Sequence, residues 1–210
     1  PNAWRGQFTR GDHGVPTVIL EVVVSQDLWF WHAFFGMEGS NNDLNVLGAS
    51  PLFNDILQGK APNMSYVING REYNHGYYLT DGIYPEYATF VKSYTYPADE
   101  KRKLFKLAQE SARKDVERTF GVLKQKWHII KYPARVWERE KLMKVMKACV
   151  ILHNMILEEE GRAFCTYSPN DMLNPHAVIQ VGSPAYFTRL LEIQNSETHH
   201  NLRQDLTEHI

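Results

Sequence analysis

The run VPTVILEVVVS (15–25), followed after only Gln26 and Asp27 by LWFWHAFFG (28–36), constrains this chain more than any other feature. The first run is β-branched and almost continuously apolar, the pattern of a buried strand. The second puts Trp29, Trp31, Ala33 and Phe35 on one face of a strand and Phe30, His32 and Phe34 on the other. Strands apolar on both faces belong in the middle of a covered sheet, and the short linker predicts an antiparallel hairpin between the two.

The remaining pattern supplies the cover. Residues 39–60 open with cap-type residues and carry Leu44, Val46, Leu47, Leu52, Phe53, Ile56 and Leu57, which predicts one or two short helices. Asn69-Gly70 between β-type residues predicts a second hairpin. GYYLTDG (76–82) reads as a short strand with Asp81 at its C-terminal end, and PEYATFVKSY (85–94) as a brief helix. From Ala98 to about Trp127, Leu104, Ala108, Ala112, Val116, Phe120, Leu123 and Trp127 recur at helical spacing, predicting one long amphipathic helix. Pro133 interrupts, and a second helix over roughly 138–160 turns Leu142, Val145, Met146, Cys149, Leu152, Met155 and Ile156 inward. AFCTYSPNDMLNPHAVIQVGSP reads as an extended arm, and the last 26 residues as mostly helix. The expected class is α/β or α+β, layered, with a main domain over 1–160 and a C-terminal arm and helix over 161–210.

Cys149 and Cys165 lack metal-type or paired spacing, which argues against a disulfide framework. No run of about 18 apolar residues is present and the N-terminus does not read as a secretory signal, so no membrane partner is expected and a nuclear or cytosolic location is. The opening on Pro1 without Met suggests a segment of a longer protein. The net charge of −1 conceals a segregation: residues 101–147 carry 15 Lys/Arg against 5 Asp/Glu. Such a patch fits a docked polyanion or a pair of solvated basic helix faces. If the partner is DNA, Arg113, Lys114, Arg118, Lys124 and Lys126 are the candidate backbone contacts.

Within that basic segment, VERTFGVLK (116–124) holds Glu117. One reading pairs it with Arg113 and Lys114 one turn back, a contact worth only about 0.3–0.5 kcal/mol. Gly121, which costs roughly 1 kcal/mol against Ala inside a helix, suggests instead that something approaches the backbone there. Asp81 in LTDGIYP is ordinary turn chemistry on one reading and a strand-end acid facing a site on the other. Together, an acid ending a strand and an acid on the next long helix, with 35 residues between them, offer hard oxygen ligands for Mg²⁺ or Mn²⁺.

SQDLWFWHAFFGMEGSNNDLNVL, LTDGIYPEY, VERTFGVLKQKWHII and ACVILHNMILEEE, matching in order and spacing, resemble the nuclease domain of PIF/Harbinger-type DDE transposases and their transposase-derived relatives, the plant members above all. The resemblance implies an RNase H-like fold in which three acids hold two divalent ions, with Asp81 matching the second acid and Glu117 the third. The first acid has no counterpart here, so the resemblance implies a domain lacking its first strand, with an incomplete Mg²⁺ or Mn²⁺ site and impaired cleavage. It also implies DNA as substrate and a Myb-like DNA-binding protein as a possible partner. Two other readings stand beside the nuclease: a non-enzymatic nuclear module that binds DNA or protein through its basic helices, and a decayed transposon fragment.

Asp43 in GSNND is a helix N-cap or a supporting acid near the metal site. His153 and Asn154 match the family pattern, but a histidine within a helix reads first as structural. Asp12, in RGDHG, does not match the first acid, and the sequon at Asn63 carries no weight in a nuclear or cytosolic chain. His199 and His200 lack partners at metal spacing.

Overall fold

The computed structural model describes residues 4–11, 14–61, 64–134, 136, 138–163 and 178–210. Asp12, Asn63, Cys165 and most of the expected arm lie outside the described residues. In chain order the elements are α1 (Arg5–Phe8), β1 (Val18–Val24), β2 (Phe30–Glu38), α2 (Asp43–Ala49), α3 (Asn54–Leu57), β3 (Tyr66–Ile68), β4 (Arg71–Tyr73), β5 (Tyr78–Thr80), β6 (Phe90–Lys92), α4 (Glu100–Arg113), α5 (Asp115–Lys126), α6 (His128–Lys131), α7 (Arg139–Glu159), α8 (Pro184–Ile193) and α9 (Ser196–His209). This is a mixed α/β chain with short sheets and long helices. It divides into two compact units, Pro1–Pro51 with Lys114–Thr166 and Leu52–Arg113 with Tyr167–Ile210.

In the first unit β1 and β2 form the expected antiparallel hairpin, with Glu21 opposite Phe34 and Val23 opposite His32. Its turn places Leu28 at φ 69°, an unusual value for a branched residue. A register shift between Val23 and Val24 brings Phe30 opposite Val24. Phe30 is thereby buried with Leu123 and Val150, against Leu20, Val22, Val24, Trp127 and Met146. The hairpin is a two-stranded sheet, not the centre of a larger one as the sequence predicts, among the described residues. Helices supply its cover: α5 packs on β1 and α7 on β2, while from α2's C-cap Ser50 hydrogen-bonds His32 at 3.2 Å. Trp31 is left 43% exposed, its indole N–H donating to Ser25.

One side chain on α7 locks this hairpin. Asn154 accepts the backbone N–H of Phe30 at 3.0 Å and donates to its carbonyl at 2.9 Å, standing in for a neighbouring strand. Next to it, the fully buried His153 meets the Leu28 carbonyl through Nε2 at 3.0 Å. A carbonyl only accepts, so Nε2 carries the proton and Nδ1 is left without a partner among the described residues.

In the second unit β3 and β4 form the hairpin expected at Asn69-Gly70, both of which take positive φ (51° and 80°) as a tight primed turn requires. The segment read as a helix over 85–94 is instead strand β6, parallel to β5, with Tyr78 opposite Phe90 and Thr80 opposite Lys92. Thr89, Phe90 and Val91 are all at most 1% exposed, and a β-branched, aromatic run of this kind is better satisfied by pairing with β5 than by a helical turn. Val91 joins Tyr73, Phe105 and Leu202 in one core cluster, and Ile56, Leu57 and Ile193 form another.

The helix predicted from Ala98 to Trp127 is broken at Lys114: α4 ends at Arg113, and Asp115 begins a new first turn with Lys114 as its N-cap. The break shifts the buried stripe. On α4 it runs through Phe105 and Gln109 while Leu104 is 53% exposed, and on α5 through Thr119 and Leu123. On α7, Cys149, Val150, His153 and Leu157 are buried, whereas Leu152 and Met155 face outward.

Candidate metal centre and nucleic-acid interface

Asp81 follows directly on β5. One carboxylate oxygen accepts the N–H of Gly82 at 2.6 Å, and the other lies 3.8 Å from the Arg113 guanidinium at the end of α4. Its side chain is 62% exposed, so at least one oxygen is open to a ligand. Its position is fixed from behind by Gln109, whose buried amide donates to the carbonyls of Thr80 and Val91, each at 3.0 Å. Gln109 thus ties the end of β5 to β6, a role the sequence did not announce because a helix glutamine usually points to water.

Glu117 lies in the first turn of α5, where the helix dipole favours an acid. It is exposed and makes no ion pair with a described residue. The pairing with Arg113 and Lys114 therefore does not form: Arg113 turns to Asp81, and Lys114 is the cap residue at the helix break. The approach expected at Gly121 is not seen either, since a Cβ there would meet nothing within 4 Å. Glu117 and Gly121, one turn apart, face open space. Each of these exposed carboxylates is a hard oxygen donor of the kind Mg²⁺ and Mn²⁺ take.

The basic candidates divide. Lys114 and Lys124 are exposed. Arg118 is half spoken for, donating to the Gln26 carbonyl at 2.9 Å and pairing with Asp115 at 3.2 Å. The Lys126 ammonium is buried, without a hydrogen-bond partner among the described residues, and its charge bears on His153. It sits in the last turn of α5, beside the helix that carries His153. Asp43 is exposed in the first turn of α2, but the cap is Asn42, which accepts the N–H of Asn45 at 2.8 Å.

Residues 1–164 match the family described as "Plant transposon protein". The chain belongs to that family. Protein ALP1-like of Arabidopsis thaliana is 26% identical over 148 residues, covering 70% of this chain and 36% of that protein, so the chain spans about a third of its relative's length. No solved structure matches the chain. Asp81, Glu117 and the basic residues of α5 all lie inside the plant transposon match. No helix among the described residues is long and apolar enough to cross a membrane.

One constellation escapes linear reading. His199 and His200, expected to lack partners at metal spacing, are joined by Glu86 from the β5–β6 connection, with one potential ligand atom from each residue lying within 4.8 Å of the others. Only the fold brings the acid to the pair, and the two histidines lie beyond the plant transposon match.

Proposed function

We propose that this chain carries part of a transposase-derived, RNase H-like nuclease of the PIF/Harbinger type, in which Asp81 and Glu117 are ligands for Mg²⁺ or Mn²⁺. Membership of the plant transposon protein family over residues 1–164 is the observation that carries this reading. An antiparallel hairpin followed by a parallel strand pair, with Asp81 immediately after the first parallel strand, is consistent with it. A divalent ion held there supplies Lewis-acid stabilisation of charge on a phosphodiester. Asp81 contributes an oxygen from a strand end steadied by Gln109, and Glu117 one from an open helix face. Lys114, Arg118 and Lys124, on and just before α5, hold the DNA backbone by charge.

The reading calls for a third acid and assigns it to no residue of this chain. The chain alone is therefore expected to bind a divalent ion without cleaving efficiently. Incubation with supercoiled DNA and Mn²⁺ tests this: little nicking is expected, and robust nicking abolished by Asp81→Ala contradicts the impairment. A non-enzymatic nuclear module that binds DNA, or a Myb-like protein, is the second reading. The Arg113 guanidinium beside Asp81 favours it, since a cation there competes with a metal. Under that reading Lys124→Glu abolishes DNA binding and Glu117→Gln leaves it intact.

A further inference from the structure

His199, in the first turn of α9, is fully buried. Its Nδ1 lies 2.7 Å from the carbonyl of Phe90 and 3.2 Å from that of Tyr87. Carbonyls only accept, so Nδ1 carries the ring proton and Nε2 presents a lone pair. That Nε2 is buried and has no hydrogen-bond partner among the described residues. A buried acceptor left unsatisfied is destabilising and uncommon. A ring whose far nitrogen is anchored on a backbone carbonyl is also the arrangement that orients metal-ligating histidines. Burial holds the imidazole below its usual pKa, in the neutral form that ligates.

Two further donors stand next to it. The Nε2 of His200 is 3.2 Å from a carboxylate oxygen of Glu86, and these side chains are 51% and 45% exposed, which leaves an entry path from solvent. We infer that Glu86, His199 and His200 form a site for a transition-metal ion with imidazole preference, such as Zn²⁺, that clasps the β5–β6 connection to α9. Bonds of about 2 Å require the three ligand atoms to draw closer together, which the exposed His200 and Glu86 side chains accommodate by rotating. Three protein ligands leave a fourth position for water.

Arg203 gives the site an internal competitor. Its guanidinium lies 3.2 Å from His200 Nδ1 and can only donate, so it puts the His200 proton on Nε2, toward Glu86. An ion at Nε2 takes that proton's place; the proton moves to Nδ1, and Arg203 gives up the contact while keeping its stacking on Tyr94, 4.5 Å from the ring centre. This site shares no residue with Asp81 and Glu117, and two of its three ligands are imidazole nitrogens where those two are carboxylates.

The test is a titration of the metal-stripped 210-residue chain with Zn²⁺ in saturating Mg²⁺, followed by calorimetry, and with Co²⁺ followed by visible absorption. One ion is expected to bind, giving the intense absorption of a tetrahedral Co²⁺ centre and raising Tm. Glu86→Gln and His200→Ala, both at exposed positions, are expected to weaken binding about tenfold or more while leaving the far-ultraviolet circular dichroism unchanged. Arg203→Gln, which replaces a donor by a group able to accept from Nδ1, is expected to tighten it. Asp81→Asn leaves it alone, so this site can fail while the nuclease reading stands. Absence of saturable Zn²⁺ binding, or binding indifferent to both Glu86→Gln and His200→Ala, overturns the inference.

Discussion

The side-chain amide of Gln109 donates to the carbonyl of Thr80 at 3.0 Å, and Thr80 is the residue immediately before Asp81. A helix therefore sets where the strand-end acid stands. Gln109→Leu leaves two buried carbonyls, those of Thr80 and Val91, without this donor and is expected to cost about 1–3 kcal/mol in urea unfolding. Gln109→Glu, which keeps the shape and loses the donors, is expected to be at least as harmful. A loss below about 0.5 kcal/mol in both would show that the amide does not hold the strand end.

Arg113 lies 3.8 Å from Asp81 with both side chains substantially exposed, so the pair contributes well under about 1 kcal/mol to stability. Its effect on ligands is larger. Arg113→Ala is expected to leave Tm nearly unchanged and to tighten Mn²⁺ binding, because a competing cation is removed. Weaker binding in Arg113→Ala would mean that the guanidinium supports the site.

Asn154 satisfies both backbone groups of Phe30 from α7. Asn154→Ala strands them beside the core and is expected to destabilise the chain by about 1–3 kcal/mol. Asn154→Asp retains an acceptor for the Phe30 N–H but sets a carboxylate against its carbonyl, so it is not expected to rescue. Hydrogen exchange read at Phe30 reports the loss locally.

Burial lowers the pKa of His153 below its ordinary value of 6.5, the Leu28 carbonyl opposes this, and the Lys126 charge lowers it further; Arg162 and Glu160 act on it from the same helix end. The unfolded chain then binds the proton first as pH falls. Stability from this group is complete above about pH 6.5 and is lost as pH drops from there through the depressed folded pKa. Urea midpoints at pH 7.5, 6.0 and 5.0 are expected to fall in that order. His153→Gln is expected to flatten the slope, with His199, also lowered by burial, supplying part of what remains.

The parts legible in the sequence are those that local physics decides. The β1–β2 hairpin follows from two apolar runs across a tight link, the β3–β4 turn from Asn69-Gly70, and the position of Asp81 from a short β run ending in Asp-Gly. The misreadings share a cause: a partner distant in sequence. Phe90 and Val91 become a strand because β5 lies alongside, and Gln109 is buried because two carbonyls need its amide. Lys126 turns inward although composition counts it as part of a basic face. The Glu86, His199 and His200 group is invisible to spacing for the same reason.

The assignment of Asp81 and Glu117 as metal ligands carries the functional reading. Mn²⁺ binding by the 210-residue chain, followed by water-proton relaxation in a Glu86→Gln, His200→Ala background, tests it most directly. Saturable binding is expected, which Asp81→Asn and Glu117→Gln each weaken and the pair together abolishes. Binding that is absent, or that survives the double substitution unchanged, would contradict it and return Glu117 to the role of a solvated helix acid.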